Sequence, residues 1–166
     1  MDLETLRWTL SLQLRYTTHV FNANLAGLSD DDALRQPEPG GNCLNWVAGH
    51  VVGTRGAMLD LLGQERPFPA ARYERYRRGS APVTGAAEAL PLAAMAADFA
   101  ATAVPLRAGL ATMTLERLAG RAPFSPGGRD DETVGSLLAG LVFHEAYHIG
   151  QLGTLRRLCG AAGALG

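Results

Sequence analysis

Four stretches of the chain repeat apolar residues at steps of three and four, and segments rich in Pro, Gly and Asp separate them. This spacing is typical of helices with one buried face. The second stretch begins at Asn42, which suits a helix N-cap, and ends at Gly63, which suits a C-terminal stop. The first stretch runs from about residue 2 to residue 28, and its repeating positions are Leu3, Leu6, Leu10, Leu14, Thr17, Phe21 and Leu25.

Prolines shape the third stretch and the connection before it. The third helix is predicted to start near Pro91 and to continue to about Met113. A kink or break is predicted at Pro105, because proline inside a helix removes a backbone hydrogen bond. Residues 64–87 form a long connection in which a short helix around 73–78 is predicted, and residues 119–131 form another loop.

The fourth stretch, from about Thr133 to Leu158, carries very little charge. Between residues 134 and 155, histidines aside, Glu145 is the only acidic or basic residue. A helix that is apolar on all sides is predicted to lie in the centre of a bundle. No segment alternates apolar and polar residues as a strand would. The pattern therefore predicts a single all-α domain over residues 1–166, an antiparallel four-helix bundle.

Composition and charge narrow the classes of function. Of the 166 residues, 47% are hydrophobic and 19% are charged, which is typical of a globular domain. The net charge of -1 argues against a nucleic-acid partner. One basic segment is predicted to be a solvated surface turn, with a grip on a phosphate or carboxylate as the alternative. It contains Arg72, Tyr73, Arg75, Tyr76, Arg77 and Arg78.

The start of the chain and its cysteines favour a cytoplasmic location. Asp2 and Glu4 stand where a signal peptide would carry a basic region. No uninterrupted apolar run reaches the roughly 18–20 residues that span a bilayer, so no membrane partner is expected. Cys43 and Cys159 lack the Cys-x-x-Cys spacing, and two cysteines do not make a disulfide framework in a chain of this size.

The segment His144-Glu145-Ala146-Tyr147-His148 lies within the fourth predicted helix. Histidines four residues apart lie on one face, about 40° apart around the helix axis and one turn along it. Both imidazoles can therefore reach one metal ion. We predict that His144 and His148 are metal ligands, with two core histidines that share hydrogen bonds as the alternative.

The same segment matches the zinc-protease pattern His-Glu-x-x-His. In those enzymes a third ligand follows downstream, but no Asp, Glu or His follows His148 here. No strand is predicted that would hold an extended peptide. A protease is therefore not the predicted function.

His50 is the predicted third ligand. It lies mid-helix in a stretch without charges, beside Gly49 and Gly53, which permit close helix packing at a cost in helix stability. Alone, this side chain would be read as a core histidine, but together with the pair on the fourth helix it completes a three-histidine site. His19 lies on the opposite side of the first helix from the leucine positions and is left out.

Two motifs make the sequence resemble the DinB-like metal-binding bundles, also called the DinB/YfiT superfamily. One is H-E-A-Y-H-I-G-Q-L-G, which begins at His144 and continues through Leu158. The other is N-C-L-N-W, which begins at Asn42 and is followed by Gly49-His50 and a Leu-Leu-Gly end at Gly63. Spacing and order agree across nearly the whole chain. Many relatives carry a basic residue at the position of Ile149, a difference that concerns substrate contacts rather than the metal ligands.

The resemblance implies a bundle with one long crossover connection, a divalent metal ion at the three histidines, and frequently a homodimer. Zinc is the expected ion, with nickel, manganese or iron as alternatives. The better understood relatives look like enzymes that use low-molecular-weight thiols such as bacillithiol or mycothiol. The predicted function is therefore a metal-dependent S-transferase that acts on small electrophiles. The alternatives are a metal-dependent hydrolase and a non-catalytic metal-binding or stress-response module.

Four further residues are predicted to lie at the site. Glu145 neighbours both histidines and is the candidate catalytic base, with orientation of a ligand as the alternative. Gln151 shares the histidine face and is a candidate for binding the cofactor. Trp46 and Thr54, one turn on either side of His50, are candidates for the same pocket, with simple packing as the alternative.

The first helix carries large side chains away from its leucine positions. Trp8, Leu12 and Tyr16 lie mainly on the other side, with Arg15 and His19 beside them. Exposed apolar patches usually mark interfaces, so a homodimer contact is predicted here. The alternative is that the connection of residues 64–87 folds over these side chains.

Overall fold

The computed structural model describes residues 2–164, which fold into six α-helices joined by loops and short 3₁₀ turns, with no β-strand in this range. The all-α prediction is therefore confirmed. The longest 3₁₀ turn is Ala70–Tyr76. The helices are α1 (Leu3–Leu25), α2 (Leu44–Leu61), α3 (Leu92–Ala101), α4 (Ala103–Thr112), α5 (Leu115–Ala119) and α6 (Val134–Leu158).

Local chemistry explains where the first two helices begin and end. The carboxylate of Asp2 caps α1 by accepting a hydrogen bond from the backbone N–H of Thr5 (2.7 Å). The N-cap of α2 is Cys43 rather than Asn42, and no side chain caps its first turn. The helix ends as predicted before Gly63, whose φ of +71° favours glycine.

The third predicted helix is broken where the sequence places a proline. α3 ends at Ala101, α4 begins at Ala103, and Pro105 lies in the first turn of α4. A proline is tolerated in a first turn because the N–H that it lacks would have no helical partner there. Thr102, between the two helices, is buried, so the break places a hydroxyl group in the core.

The segment Ala86–Thr112 is long and apolar enough to cross a bilayer by length and composition alone, with a mean hydropathy of 1.5. This is weak support for a membrane span, because core helices of folded proteins pass the same test. The segment is also interrupted at Thr102, and Met95 and Phe99 are fully buried in the core.

The long helices form a closed ring of contacts. α1 packs on α6, α6 on α2, α2 on α3 and α4, and these two on α1. The buried apolar residues divide into two clusters. The first cluster includes Trp46, Phe99 and Leu152, and the second includes Met58, Leu110 and Leu138.

The order in which the helices pass through the two clusters gives their directions. Along the chain, α2 and the α3–α4 pair run from the first cluster to the second, whereas α1 and α6 run from the second to the first. α2 is therefore antiparallel to α6 and α1 but parallel to α3–α4. Two consecutive helices that run parallel need a long connection back to the end of the bundle where the first one began. Residues 62–91 form this connection, which we call the crossover connection.

α6 begins after its N-cap Thr133, as predicted, but it is not buried on all sides. Leu138 and Leu152 are buried, whereas Phe143 is 71% exposed and Tyr147 is 64% exposed. The prediction of a fully central helix is therefore wrong for this face. The uncharged face that carries Phe143 and Tyr147 borders a cavity instead of the core.

The large side chains on the outer side of α1 remain accessible. Trp8 and Tyr16 are 65% and 61% exposed. The crossover connection packs on α2 instead of covering them, and the groove beside Trp8 is formed with α4, near Leu106. The homodimer contact on this surface stays a prediction.

Candidate metal centre

The structure brings together His50 of α2 and His144 and His148 of α6. The Nε2 atom of His144 lies 3.2 Å from Nε2 of His50 and 3.1 Å from Nε2 of His148. One ligand atom from each ring lies within 4.8 Å of the other two. All three residues are half-buried, so a small ligand can reach them.

Hydrogen bonds to the second ring nitrogen fix the tautomers of two histidines. Nδ1 of His50 donates to the backbone carbonyl of Tyr76 (2.7 Å), and Nδ1 of His148 donates to Oε1 of Gln151 (2.9 Å). A neutral imidazole carries one proton. Both rings therefore present an unprotonated Nε2 lone pair to the centre.

The third ring cannot satisfy both of its neighbours by hydrogen bonding. Nε2 of His144 carries one proton at most, so one of its two contacts would join two lone pairs. Its Nδ1 atom is buried and has no hydrogen-bond partner within residues 2–164. A cation at the centre removes the conflict, because all three lone pairs then face positive charge.

The spacing of the nitrogens also fits a metal ion. Three nitrogens bound to a tetrahedral ion at about 2.0–2.1 Å lie about 3.3 Å apart. The observed separations of 3.2 Å and 3.1 Å are close to that value. The residues present therefore fit a divalent metal ion held by three imidazoles.

Burial keeps the rings of His50 and His144 neutral, which is the form that binds a metal. Desolvation lowers the pKa of His50 below its ordinary value. Desolvation is also the main cause that lowers the pKa of His144 to about 4, with a smaller contribution from the neighbouring His148 ring when that ring is charged. Near neutral pH, protons therefore compete weakly with a metal ion for the nitrogens of His50 and His144.

Trp46, Thr54 and Gln151 line the same cavity as the histidines. The indole ring of Trp46 stacks on His50, with ring centroids 4.9 Å apart and an interplanar angle of 18°. The hydroxyl of Thr54 donates to the carbonyl of His50 (2.9 Å), so it supports the helix turn that carries this ligand. The roles of these three residues in binding a cofactor stay predictions.

The histidines open into a cavity of about 1240 Å³. α2 and α6 line part of it, and the crossover connection and the loop of residues 120–133 line much of the rest. Most ligand sites enclose roughly 300–1,000 Å³, so this cavity has room for a cofactor and a substrate together. Phe124, Phe143 and Tyr147 give it apolar walls.

Glu145 does not line this cavity, although it adjoins His144 in the sequence. Its side chain is fully buried, and its two carboxylate oxygens accept hydrogen bonds from Nε (2.7 Å) and Nη2 (2.8 Å) of Arg55. The hydroxyl of Thr17 also donates to it. The interpretation of Glu145 as the catalytic base is therefore corrected, because a carboxylate held on both oxygens is poorly placed to accept a substrate proton.

Arg55, which the sequence interpretation missed, is the centre of a buried polar layer. Its guanidinium donates to the hydroxyl of Thr102 (3.2 Å) and to the carbonyl of Leu14 (3.0 Å), and it lies 3.6 Å from the ring centre of Phe99. The layer therefore joins α1, α2, α6 and the break between α3 and α4. The signal was present in the sequence, because Arg55 and Glu145 are single opposite charges in two otherwise uncharged helical stretches.

A known protein family matches the chain over the residues that form this site. The sequence model of the DinB superfamily matches residues 13–152, a range that contains all three clustered histidines, Arg55 and Glu145. The chain belongs to the DinB superfamily. Membership in this superfamily and the three-histidine cluster together fit a metal-binding protein.

A solved structure shares the fold of this DinB-superfamily chain. The crystal structure of a conserved protein from Enterococcus faecalis has a TM-score of 0.69 against it, with 17% sequence identity. The similarity covers 96% of this chain and 98% of the other. No protein in the curated set matches the chain.

Gly49 lets the crossover connection approach the metal centre of this DinB-superfamily protein. A Cβ atom at Gly49 would lie 2.4 Å from the ring of Tyr76, whose carbonyl holds His50. Gly53 gives similar room to Tyr73, where a Cβ atom would meet the tyrosine Cβ at 3.2 Å. The sequence predicted close helix packing at these glycines, but the structure packs two tyrosines of the connection against them.

We expect Gly49→Ala to weaken metal binding by about tenfold or more. The added methyl group would displace Tyr76, whose carbonyl then no longer holds the ring of His50. Loss of a hydrogen-bond partner of a metal ligand costs about 10–100-fold in metal affinity. Competition with a chromophoric chelator measures the change in affinity. Gly150→Ala is the matched control, because no atom lies within 4 Å of a Cβ built there. Unchanged affinity in Gly49→Ala would show that the Tyr76 contact does not position the ligand.

Proposed function

We propose that this protein is a metal-dependent S-transferase that joins a low-molecular-weight thiol, of the bacillithiol or mycothiol type, to a small electrophile. The observation that carries the proposal is the convergence of three Nε2 atoms on the wall of a large open cavity. Within the described chain, no fourth His, Cys, Asp or Glu joins this group. Three protein ligands are typical of catalytic zinc sites, whereas structural sites use four.

A divalent ion at this site would supply an open coordination position and would lower the pKa of a thiol or a water placed there. A thiol has an ordinary pKa of about 8.5 and needs only a small shift to lose its proton near neutral pH. Water needs a shift of several units. Thiol chemistry is therefore favoured at a site where Glu145 is tied to Arg55 and is not available as a base.

The proposed reaction needs no further catalytic group from the chain. The thiol sulfur forms a bond to an electrophilic carbon, the leaving group departs with the bonding electron pair, and the thiol proton passes to solvent. The chain's contribution is to hold and shield the reactants. Tyr76 and Gln151 orient two of the ligand rings, and Trp46 covers one face of His50. Phe143 and Tyr147 supply apolar wall that can contact the apolar parts of the reactants.

Direct binding of a thiol at the metal centre tests the proposal. We expect the cobalt-substituted protein to develop a sulfur-to-metal charge-transfer band when bacillithiol or mycothiol is added. The absorption spectrum measures it, with His144→Ala as the control that should show no band. Glutathione, which carries a different scaffold, measures selectivity among thiols.

A cobalt spectrum that stays unchanged with all three thiols would contradict the S-transferase proposal. That result would favour the metal-dependent hydrolase or the non-catalytic metal-binding module instead. Turnover of small ester and amide substrates by the zinc-loaded protein then separates those two.

A further inference from the structure

Most of the basic segment of residues 72–78 is neutralised by its own chain. Three of its four arginines have an acidic partner at 2.8–3.5 Å, namely Arg72 with Asp98, Arg75 with Glu88, and Arg77 with Glu74. Arg78 has no acidic partner within residues 2–164, and its guanidinium donates to the backbone carbonyl of Pro126 (3.3 Å). The interpretation of this segment as a surface turn therefore explains three of the arginines, but it does not explain Arg78.

Two contacts with the metal centre fix the backbone on either side of Arg78. Two residues before it, the carbonyl of Tyr76 accepts the hydrogen bond from His50. Two residues after it, the hydroxyl of Ser80 accepts a hydrogen bond from the indole N–H of Trp46 (3.0 Å). Arg78 is exposed and lines the same cavity as the histidines. The two contacts therefore hold the segment that carries Arg78 against the wall of the cavity that contains the histidines.

The other charged side chains around the cavity already have partners. Arg66 pairs with Asp60, and Glu132 accepts hydrogen bonds from the hydroxyls of Ser125 (3.0 Å) and Ser136. Among the described residues that line the cavity, Arg78 is therefore the cation without a counter-ion. A guanidinium in this state offers a planar, two-pronged donor to a carboxylate or sulfonate.

We propose that Arg78 binds the anionic group of the substrate, and that the substrate is an organic anion with an apolar body. The apolar part lies against the aromatic walls formed by Trp46, Phe124 and Phe143, while the reacting atom faces the histidines. This specificity rests on the proposed function, because it assumes that the cavity receives the electrophile. Uncharged electrophiles of the same shape bind more weakly.

Binding of a matched pair of probes tests the role of Arg78 without any need for turnover. The chain contains two tryptophans, so a Trp8→Phe background leaves Trp46 in the cavity wall as the single reporter. The probes are 4-nitrobenzenesulfonate and the uncharged 4-nitrobenzyl alcohol, which quench indole fluorescence. Zinc-loaded protein is titrated with each. An inactive protein still reports on this binding, so a failed S-transferase proposal and a failed Arg78 proposal give different results.

We expect Arg78→Gln to weaken binding of the sulfonate by about fivefold, the modest effect of an exposed charge-assisted contact. Binding of the alcohol should stay within about twofold of the parent, because it makes no use of the charge. Arg77→Gln is the matched control, since its arginine already pairs with Glu74, and it should change neither probe by more than about twofold.

Two outcomes would overturn the proposal. Equal binding of the sulfonate to the parent and to Arg78→Gln would show that this guanidinium does not recognise the anion. An equal loss of both probes would show that Arg78 only supports the shape of the cavity wall. Glu132→Gln extends the test by removing a carboxylate from the same cavity, and it should leave sulfonate binding unchanged or tighter.

Discussion

Replacement of Arg55 with methionine is expected to lower the free energy of unfolding by about 3–5 kcal/mol, the usual cost of leaving one partner of a buried ion pair uncompensated. Arg55 and Glu145 are both 0% exposed, and the carboxylate has no other cationic partner in the described chain. Without the guanidinium, the fold must bury a bare negative charge or protonate it. Urea denaturation measures the loss as a lower midpoint at an unchanged slope.

A surface pair supplies the control for this experiment. Arg129→Met removes an arginine whose side chain, in the part of the chain that the structure describes, pairs only with the exposed Asp131, and it should change the free energy of unfolding little. The double variant Arg55→Met, Glu145→Leu should regain much of the stability lost in the single variant, because it leaves no unpaired charge. A loss below about 1 kcal/mol in Arg55→Met would contradict the buried-layer interpretation.

Removal of one histidine from the metal centre is the second large effect that we expect. The protein purified without a histidine tag should carry close to one divalent ion per chain. His144→Ala should lower the metal affinity by at least about 100-fold, since loss of even a partner of a ligand costs about 10–100-fold. Elemental analysis measures the occupancy, and competition with a chelator measures the affinity.

The fourth histidine of the chain is the matched control for this prediction. His19 lies exposed on α1, in the groove beside α4 and outside the three-histidine cluster, so His19→Ala should keep its metal. Full metal occupancy in His50→Ala would show that the third ligand has been assigned wrongly. Equal zinc affinity in all the histidine variants would show that zinc binds elsewhere on the protein.

Helical periodicity was enough to predict the four long helical segments and to place two of the clustered histidines on one face, but it did not predict the short helix α5. His144 and His148 share a face because four residues span slightly more than one turn, and the structure brings their rings together. His50 was predicted from its uncharged helical stretch and from the pair on the fourth helix that it completes, and the family resemblance then agreed with it. The break at Thr102 followed from Pro105. These features depend on local rules, which a single sequence expresses directly.

The role of Glu145 shows where local reasoning fails. Consecutive residues on a helix point about 100° apart, so a neighbour of His144 in the sequence is not a neighbour in the site. The carboxylate turns instead to Arg55, 90 residues earlier in the chain. The contact of Tyr76 with His50 uses a backbone carbonyl, which every residue possesses, so the pattern of side chains in the sequence does not predict it.

The division of the cavity between helices and loops bears on how such a protein can acquire new substrates. The three candidate metal ligands lie on α2 and α6, which the buried Arg55–Glu145 pair joins, while much of the remaining cavity wall comes from the crossover connection and the loop of residues 120–133. A substitution at an exposed wall position such as Arg78 or Phe124 leaves both core clusters intact. Substitutions at the cavity wall can therefore change which small molecules fit at little cost in folding stability, while the three-histidine cluster is retained.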